Sequence, residues 1–155
     1  MQHYKKAMLD LETPVQWHTD AQLVERNQLR VALHLNCAAC ALKLAPQRAY
    51  PHLQTPKNHY DVHHDAIFHC TRVIDVDAHN VKALYRRACA HLAIPQARHI
   101  NGLALAIDDL KHALECDPQN AEVKKELKRA KELQKQADAK AAGMFSKMVA
   151  GAVEV

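Results

Sequence analysis

Two cations provide the chemistry that stands out first in this 155-residue chain. Lys82 and Arg86 lie four residues apart within KALYRRACAHLAI, whose other residues are typical of a packed helix. At that spacing both side chains project from one helix face, where like charges repel unless an anion lies between them. The pair therefore predicts a site for an acidic ligand. An ordinary solvated surface is the alternative, and to such a surface we assign the adjacent Arg87.

Asn36 adds a neutral donor to this set. Asparagine is a poor residue for a helix interior, yet its neighbours Leu35 and Cys37 are typical of one, so its amide either binds a ligand or bonds to another helix. An arginine fork holds a carboxylate by two bonds, a lysine adds a mobile charge, and an asparagine amide donates without adding charge. Together Asn36, Lys82 and Arg86 suit a peptide terminus that carries two carboxylates. Lys43, two turns from Asn36, is a candidate contact for an upstream group of that peptide.

Cysteine and histidine residues offer a competing chemistry. Cys37-x-x-Cys40 has redox or zinc spacing, but no second cysteine pair follows at ligand spacing, so we interpret both as packing residues. His59 and His63 would form a metal pair if one helix carried both. The surrounding cluster also contains His64, His69 and Cys70. Because twelve histidines are present and no zinc-protease, phosphate-loop or serine-hydrolase motif occurs, we predict no metal, no cofactor and no catalytic residue.

The composition indicates one α-helical domain. Hydrophobic residues make up 48% of the chain, charged residues 25% and aromatics 5%, with only three glycines. No apolar run suits a membrane span or a secretion signal, so we expect a cytoplasmic protein. Five cysteines at helical positions predict small core residues rather than disulfides. The net charge of +4 fits an acidic partner, but without interleaved aromatics it does not indicate nucleic-acid binding.

An internal repeat supplies the elements that must position these residues. AIFHCTRVIDVDAHN (66–80) and AIDDLKHALECDPQN (106–120) align without gaps, and each ends in an Asp-x-x-Asn helix stop and N-cap. A second helical pattern rich in small residues precedes each copy, at 35–44 and at 85–94. Such helix pairs are typical of helical-hairpin solenoids, whose period is about 34 residues. Asn36 and Arg86 occupy one position in successive pairs, so both should line the concave surface.

The hydrophobic pattern also predicts where the helices lie. We expect them at about 3–12, 20–44, 60–76, 81–93, 100–115 and 121–142. The turn inside the first pair carries an insertion with Pro46, Pro51 and Pro56, which predicts an exposed loop. In the last helix an apolar stripe lies opposite the charges, as in a helix that caps a solenoid. That helix should end near Gly143.

Three segments carry a resemblance to a known family. LNCAACALKL, KALYRRACAHLA and LAIDDLKHALECDPQN, with the charged helix ending in MFSKM, resemble the C-terminal tetratricopeptide-repeat (TPR) domain of FKBP-type and cyclophilin-40-type immunophilin co-chaperones. The resemblance implies an all-α TPR solenoid whose groove binds the C-terminal Glu-Glu-Val-Asp of heat-shock protein 90 or 70 chaperones through a carboxylate clamp. By motif, Asn36 matches the clamp asparagine of the second repeat, and Lys82 and Arg86 match cations of the third. It also implies a non-enzymatic chain, because the family's prolyl isomerase lies in a separate domain.

The resemblance divides the chain into five parts. These are 1–19 as the end of the first repeat, 20–80 as the second with its insertion at 45–59, 81–118 as the third, 119–142 as the capping helix and 143–155 as a tail. The first repeat lacks its opening helix and the clamp residues it would bring, so we interpret the chain as an excerpt, with a natural short form as the alternative. This incomplete end predicts self-association or reduced stability.

Two other binding functions stay open. One is a scaffold that binds another protein in the groove, with the clamp residues incidental. The other is calmodulin binding through the basic helix KKELKRAKELQK and the MFSKMV that follows it. We expect neither a membrane nor a nucleic-acid partner.

Overall fold

Five long helices form the part of the chain that the computed structural model describes, which is residues 3, 4, 6, 7, 9, 19–48, 62–94 and 101–153, with backbone alone at 45–48 and 150–153. They are α1 (Asp20–Arg48), α2 (Val62–Ile74), α3 (Val81–Ala93), α4 (Gly102–Cys116) and α5 (Ala121–Val153). Residues 3, 4, 6, 7 and 9 are also helical. None of the described helices has the length and apolarity needed to cross a membrane. The predicted all-α fold is confirmed.

The helices stack as successive hairpins. Each packs against the next along the chain, and α1 also contacts α3, so the first helices of the two pairs are neighbours. Small residues allow these close crossings. Ala38, Ala66 and Cys70 are fully buried in the cluster around α1 and α2, and Ala88 and Ala106 are fully buried in the cluster around α3 and α4. This is the arrangement of a helical-hairpin solenoid.

The helix α5 closes one end of the stack. Its residues Val123, Leu127 and Ala130 are buried in the same cluster as Leu84 of α3 and Leu110 of α4. Burying side chains of this size stabilises a fold by about 1.5–3 kcal/mol each. The predicted capping stripe is therefore present over the first three turns of α5.

Two turns with the same pair of hydrogen bonds determine where α3 and α5 begin. The Oδ1 atom of Asn80 accepts a hydrogen bond of 3.1 Å from the backbone N–H three residues on, and its Nδ2 atom donates to Asp77 at 2.9 Å. Asn120 makes the same two bonds, of 3.1 Å and, to Asp117, of 3.0 Å. The predicted combination of helix stop and N-cap is confirmed in both repeats.

Two predicted helix ends are wrong. The helix α1 continues four residues beyond position 44, through Pro46, because a proline in the last turn removes one backbone bond but keeps a helical φ. The helix α5 continues through Gly143 to Val153, so most of the predicted tail is helical. One glycine costs only about 1 kcal/mol relative to alanine in a helix of strong formers. The rest of the insertion, 49–59, lies outside the described residues.

Candidate peptide-binding groove

The four predicted ligand-binding residues lie on α1 and α3, the neighbouring first helices of the two pairs. Asn36 and Lys43 are exposed on α1, seven residues and so about two turns apart on one face. On α3, Lys82 is exposed and Arg86 is half-buried. The fold thus brings the two helices that carry these donors side by side.

Arg86 links the two helices directly. Its Nη1 atom donates a hydrogen bond of 2.7 Å to the backbone oxygen of Leu35. That oxygen belongs to the peptide group that Leu35 shares with Asn36, so the guanidinium lies against the backbone of the Asn36 segment. The bond occupies one of five guanidinium N–H groups and restrains the orientation of the others.

The other three predicted residues make no internal contacts of this kind. Within the described residues, the side chains of Asn36, Lys43 and Lys82 form no hydrogen bond or ion pair. The ion pairs recorded there use other cations: Arg72, Arg87, Lys111 and Arg129. Lys82 and Arg86 therefore leave positive charge on this face that no carboxylate of the described residues pairs with.

Arg87 corrects the prediction that it belongs to a solvated surface. Its Nε and Nη2 atoms donate to the two carboxylate oxygens of Asp109 at 2.8 and 2.7 Å, and Nη1 donates to Thr71 Oγ1 at 3.3 Å. The Arg87 and Asp109 side chains are only 22% and 9% exposed. The hydrogen bonds that Arg87 donates to Asp109 raise the pKa of Arg87 further above its ordinary value. This fork joins α3 to α4 and α2, so it has a structural role.

Sequence reasoning missed Asp109, although the repeat contained a signal for it. In the alignment of 66–80 with 106–120, Asp109 falls opposite His69, and both are buried. His69 bonds through Nδ1 to Nδ1 of His34 on α1, at 3.0 Å. Each second helix therefore carries a buried polar residue in the same register, bonded to the first helix of its own pair. A polar residue repeated at a core position indicates such a bond.

Of the two histidines that are bonded to each other in the first repeat, at least His34 is neutral. The pKa of His34 is lowered from 6.5 to about 4, chiefly by burial and additionally by charge repulsion from His69, Arg30 and Arg72. The His34 ring is therefore uncharged near pH 7. It serves the packing of α1 on α2.

The structure shows how deeply the cysteines and the candidate metal-binding histidines are buried. Cys37 and Cys70 are buried, as predicted, and burial raises the pKa of the Cys70 thiol to about 12, which makes it a poor nucleophile. The prediction that all five cysteines are core residues is wrong for Cys40, Cys89 and Cys116, which are only partly buried. His64 is exposed on α2, and His59 lies outside the described residues. No disulfide links the five cysteines, all of which are described.

Known proteins resemble the chain in sequence. No protein-family model matches it. Over 130 residues it is 32% identical to peptidyl-prolyl cis-trans isomerase FKBP4 of Bos taurus, a match that covers 80% of this chain and 24% of the relative. It is 29% identical over 154 residues to FK506-binding protein 59 of Drosophila melanogaster, covering 95% of this chain and 28% of that one. The chain therefore spans about a quarter of the length of these curated relatives.

A solved structure resembles the fold. The C-terminal TPR-containing domain of an FK506-binding protein from Plasmodium falciparum matches with a TM-score of 0.67, over 88% of this chain and 76% of that chain, at 22% identity. At that identity the likeness concerns the fold, which is the stack of helical hairpins described above. Sequence and fold thus agree. The chain is homologous to FKBP4 over 80% of its length and has the all-α fold of the TPR-containing domain of an FK506-binding protein, which is consistent with a TPR domain of an FKBP-type immunophilin.

Proposed function

We propose that this domain is a non-enzymatic module of a cytoplasmic co-chaperone that binds the C-terminal Glu-Glu-Val-Asp of a heat-shock protein 90 or 70 chaperone. Asn36, Lys82 and Arg86 would hold the terminal carboxylates, and Lys43 would contact an upstream group. One contrast carries the proposal: Arg87 is neutralised by Asp109, whereas no described carboxylate pairs with Lys82 or Arg86. The isomerase activity named for FKBP4 is not proposed for this chain, which matches 24% of that protein.

The chemistry of the groove suits a chain-terminal aspartate, which carries two carboxylates on one residue. Arg86 is already restrained by its bond to the Leu35 carbonyl, so ordering its fork on a ligand costs less side-chain entropy. Lys82 is exposed and mobile, so it can follow the second carboxylate. Each charge-assisted hydrogen bond contributes about 1.5–3 kcal/mol net. Asn36 adds a neutral donor at the same helix contact.

The proposal is tested by fluorescence anisotropy with a labelled Met-Glu-Glu-Val-Asp peptide. Lys82→Ala and Arg86→Ala should each weaken binding by roughly tenfold to a hundredfold, because each removes one or two charge-assisted bonds. Asn36→Ala should weaken it less, since it removes a neutral donor. Raising the salt concentration should weaken wild-type binding, as expected for partly exposed charges.

Matched controls separate a clamp from general charge attraction. Lys111→Ala removes the same formal charge from an exposed position on α4, the second helix of its pair. The dissociation constant of this variant should stay within about twofold of the wild-type value. A peptide whose terminal carboxylate is replaced by an amide should bind much more weakly than the free acid. Equal binding of acid and amide, or an effect of Lys111→Ala as large as that of Lys82→Ala, would contradict the clamp and favour the scaffold.

One observation supports a second candidate function. Met144, Phe145, Met148 and Val149 are 68%, 68%, 72% and 48% exposed on α5, where their spacing places them on one helix face. A basic helix with an exposed apolar face fits the groove of calmodulin. Titration with Ca²⁺-loaded calmodulin should then show binding that Phe145→Asp abolishes and Lys82→Ala leaves unchanged. Absence of binding by the wild-type chain removes this candidate.

A further inference from the structure

A cluster of three side chains lies where the turn between α2 and α3 meets the last turn of α4, outside the groove residues. The Nδ1 atom of His79 lies 3.2 Å from Nε2 of His112 and 3.5 Å from Sγ of Cys116. All three atoms lie within 4.8 Å of one another. In sequence, His79 is 33 residues from His112 and 37 residues from Cys116. The fold thus brings potential metal ligands from the turn and from α4 to one point.

We propose that His79, His112 and Cys116 form a zinc site. In a tetrahedral site with Zn–N distances of about 2.0–2.1 Å and a Zn–S distance of about 2.3 Å, ligand atoms lie roughly 3.3–3.6 Å apart. Two of the separations, 3.2 and 3.5 Å, are close to the N···N and N···S distances that this geometry requires, and the third pair of ligand atoms lies within 4.8 Å. The cluster therefore needs little rearrangement to accept the ion.

The local structure holds the three ligands in place. His112 and Cys116 are separated by four residues on α4, so their side chains lie on one helix face. The backbone N–H of His79 donates to Asp77 Oδ1 at 3.2 Å, and Oδ2 of that carboxylate accepts from the Asn80 side chain. The bonds that build the turn thereby fix the backbone from which the His79 ring projects. Partial exposure of the cluster leaves a path for an ion.

The ligand set favours zinc over harder cations. A thiolate with two imidazoles suits Zn²⁺, whereas Mg²⁺ and Ca²⁺ prefer oxygen ligands. Glu115 lines the same surface recess, but its carboxylate is not among the atoms that cluster within 4.8 Å of one another, so water would fill the fourth position. Binding would join the turn before α3 to the end of α4, and so tie the second repeat to the third.

Metal titration of the full chain, prepared without a histidine tag and kept reduced with a non-chelating phosphine, tests the proposal. Co²⁺ serves as the spectroscopic probe. One equivalent should produce the visible bands of tetrahedral Co²⁺ and a thiolate-to-cobalt charge-transfer band, and Zn²⁺ should displace both. With free Zn²⁺ at a hundred times its dissociation constant, the melting temperature should rise by roughly 5–10 °C.

Three substitutions assign the binding to this cluster. His79→Gln introduces the residue that the next repeat has at the same turn position, Gln119, so the turn should keep its fold while metal affinity falls at least about a hundredfold. Cys116→Ser should abolish the charge-transfer band. His64→Gln, the same change at an exposed histidine on α2, should alter neither property.

Two results would overturn the inference. One is a wild-type chain whose cobalt spectrum lacks the thiolate band. The other is Co²⁺ or Zn²⁺ affinity that persists unchanged in both His79→Gln and Cys116→Ser, since the ion would then be held by other histidines. Circular dichroism of each variant establishes that a loss of binding is not a loss of fold.

Discussion

Replacing Arg87 by alanine is expected to destabilise the domain far more than the same change at the neighbouring Arg86. Arg87 is bonded to both oxygens of Asp109 and to Thr71, whereas Arg86 makes one bond to a backbone oxygen. The two residues share a helix, a charge and a size. Their comparison therefore isolates the contacts made by each guanidinium.

The size of the effect follows from the burial of the pair. Removing one partner of a fully buried ion pair costs about 3–5 kcal/mol, because the remaining charge is left desolvated. The Asp109 side chain is 9% exposed, but that of Arg87 is 22% exposed and in partial contact with water, so we expect a smaller cost than for a fully buried pair, about 2–4 kcal/mol. In a chain of this length the melting temperature should fall by roughly 5–15 °C. Arg86→Ala should cost only about 1 kcal/mol.

Urea unfolding followed by circular dichroism measures both values, and a double-mutant cycle tests the mechanism. Arg87→Ala and Asp109→Ala each leave one partner unpaired, so the double variant should be less destabilised than the sum of the two, with a coupling of at least about 1 kcal/mol. Peptide binding should show the opposite order, with Arg86→Ala losing affinity and Arg87→Ala retaining it while folded. A coupling near zero, or equal stability losses for the two arginines, would refute the reasoning.

Two further predictions concern the first repeat and the last helix. The pKa of His34 is about 4 in the folded chain and 6.5 in the unfolded chain, so the unfolded state binds more protons between these two pH values. The stability that the neutral His34 ring contributes is therefore complete above pH 6.5 and is lost as the pH falls toward 4. The loss is at most about 3 kcal/mol, measured by urea unfolding across that range, and a His34→Gln variant that kept the same pH slope would contradict the assignment. Gly143→Ala should stabilise the end of α5 by about 0.5–1 kcal/mol, since alanine has the higher helix propensity and its Cβ meets no atom of the described residues within 4 Å. Slower amide exchange at 144–149 is the readout, and faster exchange would count against a continuous helix there.

Local sequence signals predicted the helices best where a single residue decides the boundary. Asn80 supplies a cap through its own side chain, and the predicted start of α3 at Val81 is the observed one. The predicted end of α5 is wrong because that prediction takes Gly143 as a helix stop. A glycine stops a helix when the backbone must turn there, and no atom of the described residues lies within 4 Å of a Cβ built at Gly143.

The candidate site was less accessible to sequence, because its meaning depends on contacts between distant residues. The sequence placed Lys82 and Arg86 on one face from their spacing alone. It could not tell that Arg87 belongs to a largely buried ion pair, since its partner Asp109 lies 22 positions away on another helix. The same limit applies to His79, which becomes a candidate metal ligand only when α4 brings His112 and Cys116 beside its turn.

The adjacent arginines show how one helix serves both stability and binding. Successive residues on an α-helix point about 100° apart, so Arg86 and Arg87 must project toward different neighbours. Arg86 lies against α1 and Arg87 against α4 and α2. A carboxylate on the Arg87 side removes the desolvation cost of burying that charge, and a carboxylate on the Arg86 side would cancel the charge that an acidic ligand needs. Because the described structure provides the first and not the second, the position of Asp109 supports the proposal that the charge of Lys82 and Arg86 binds an acidic partner.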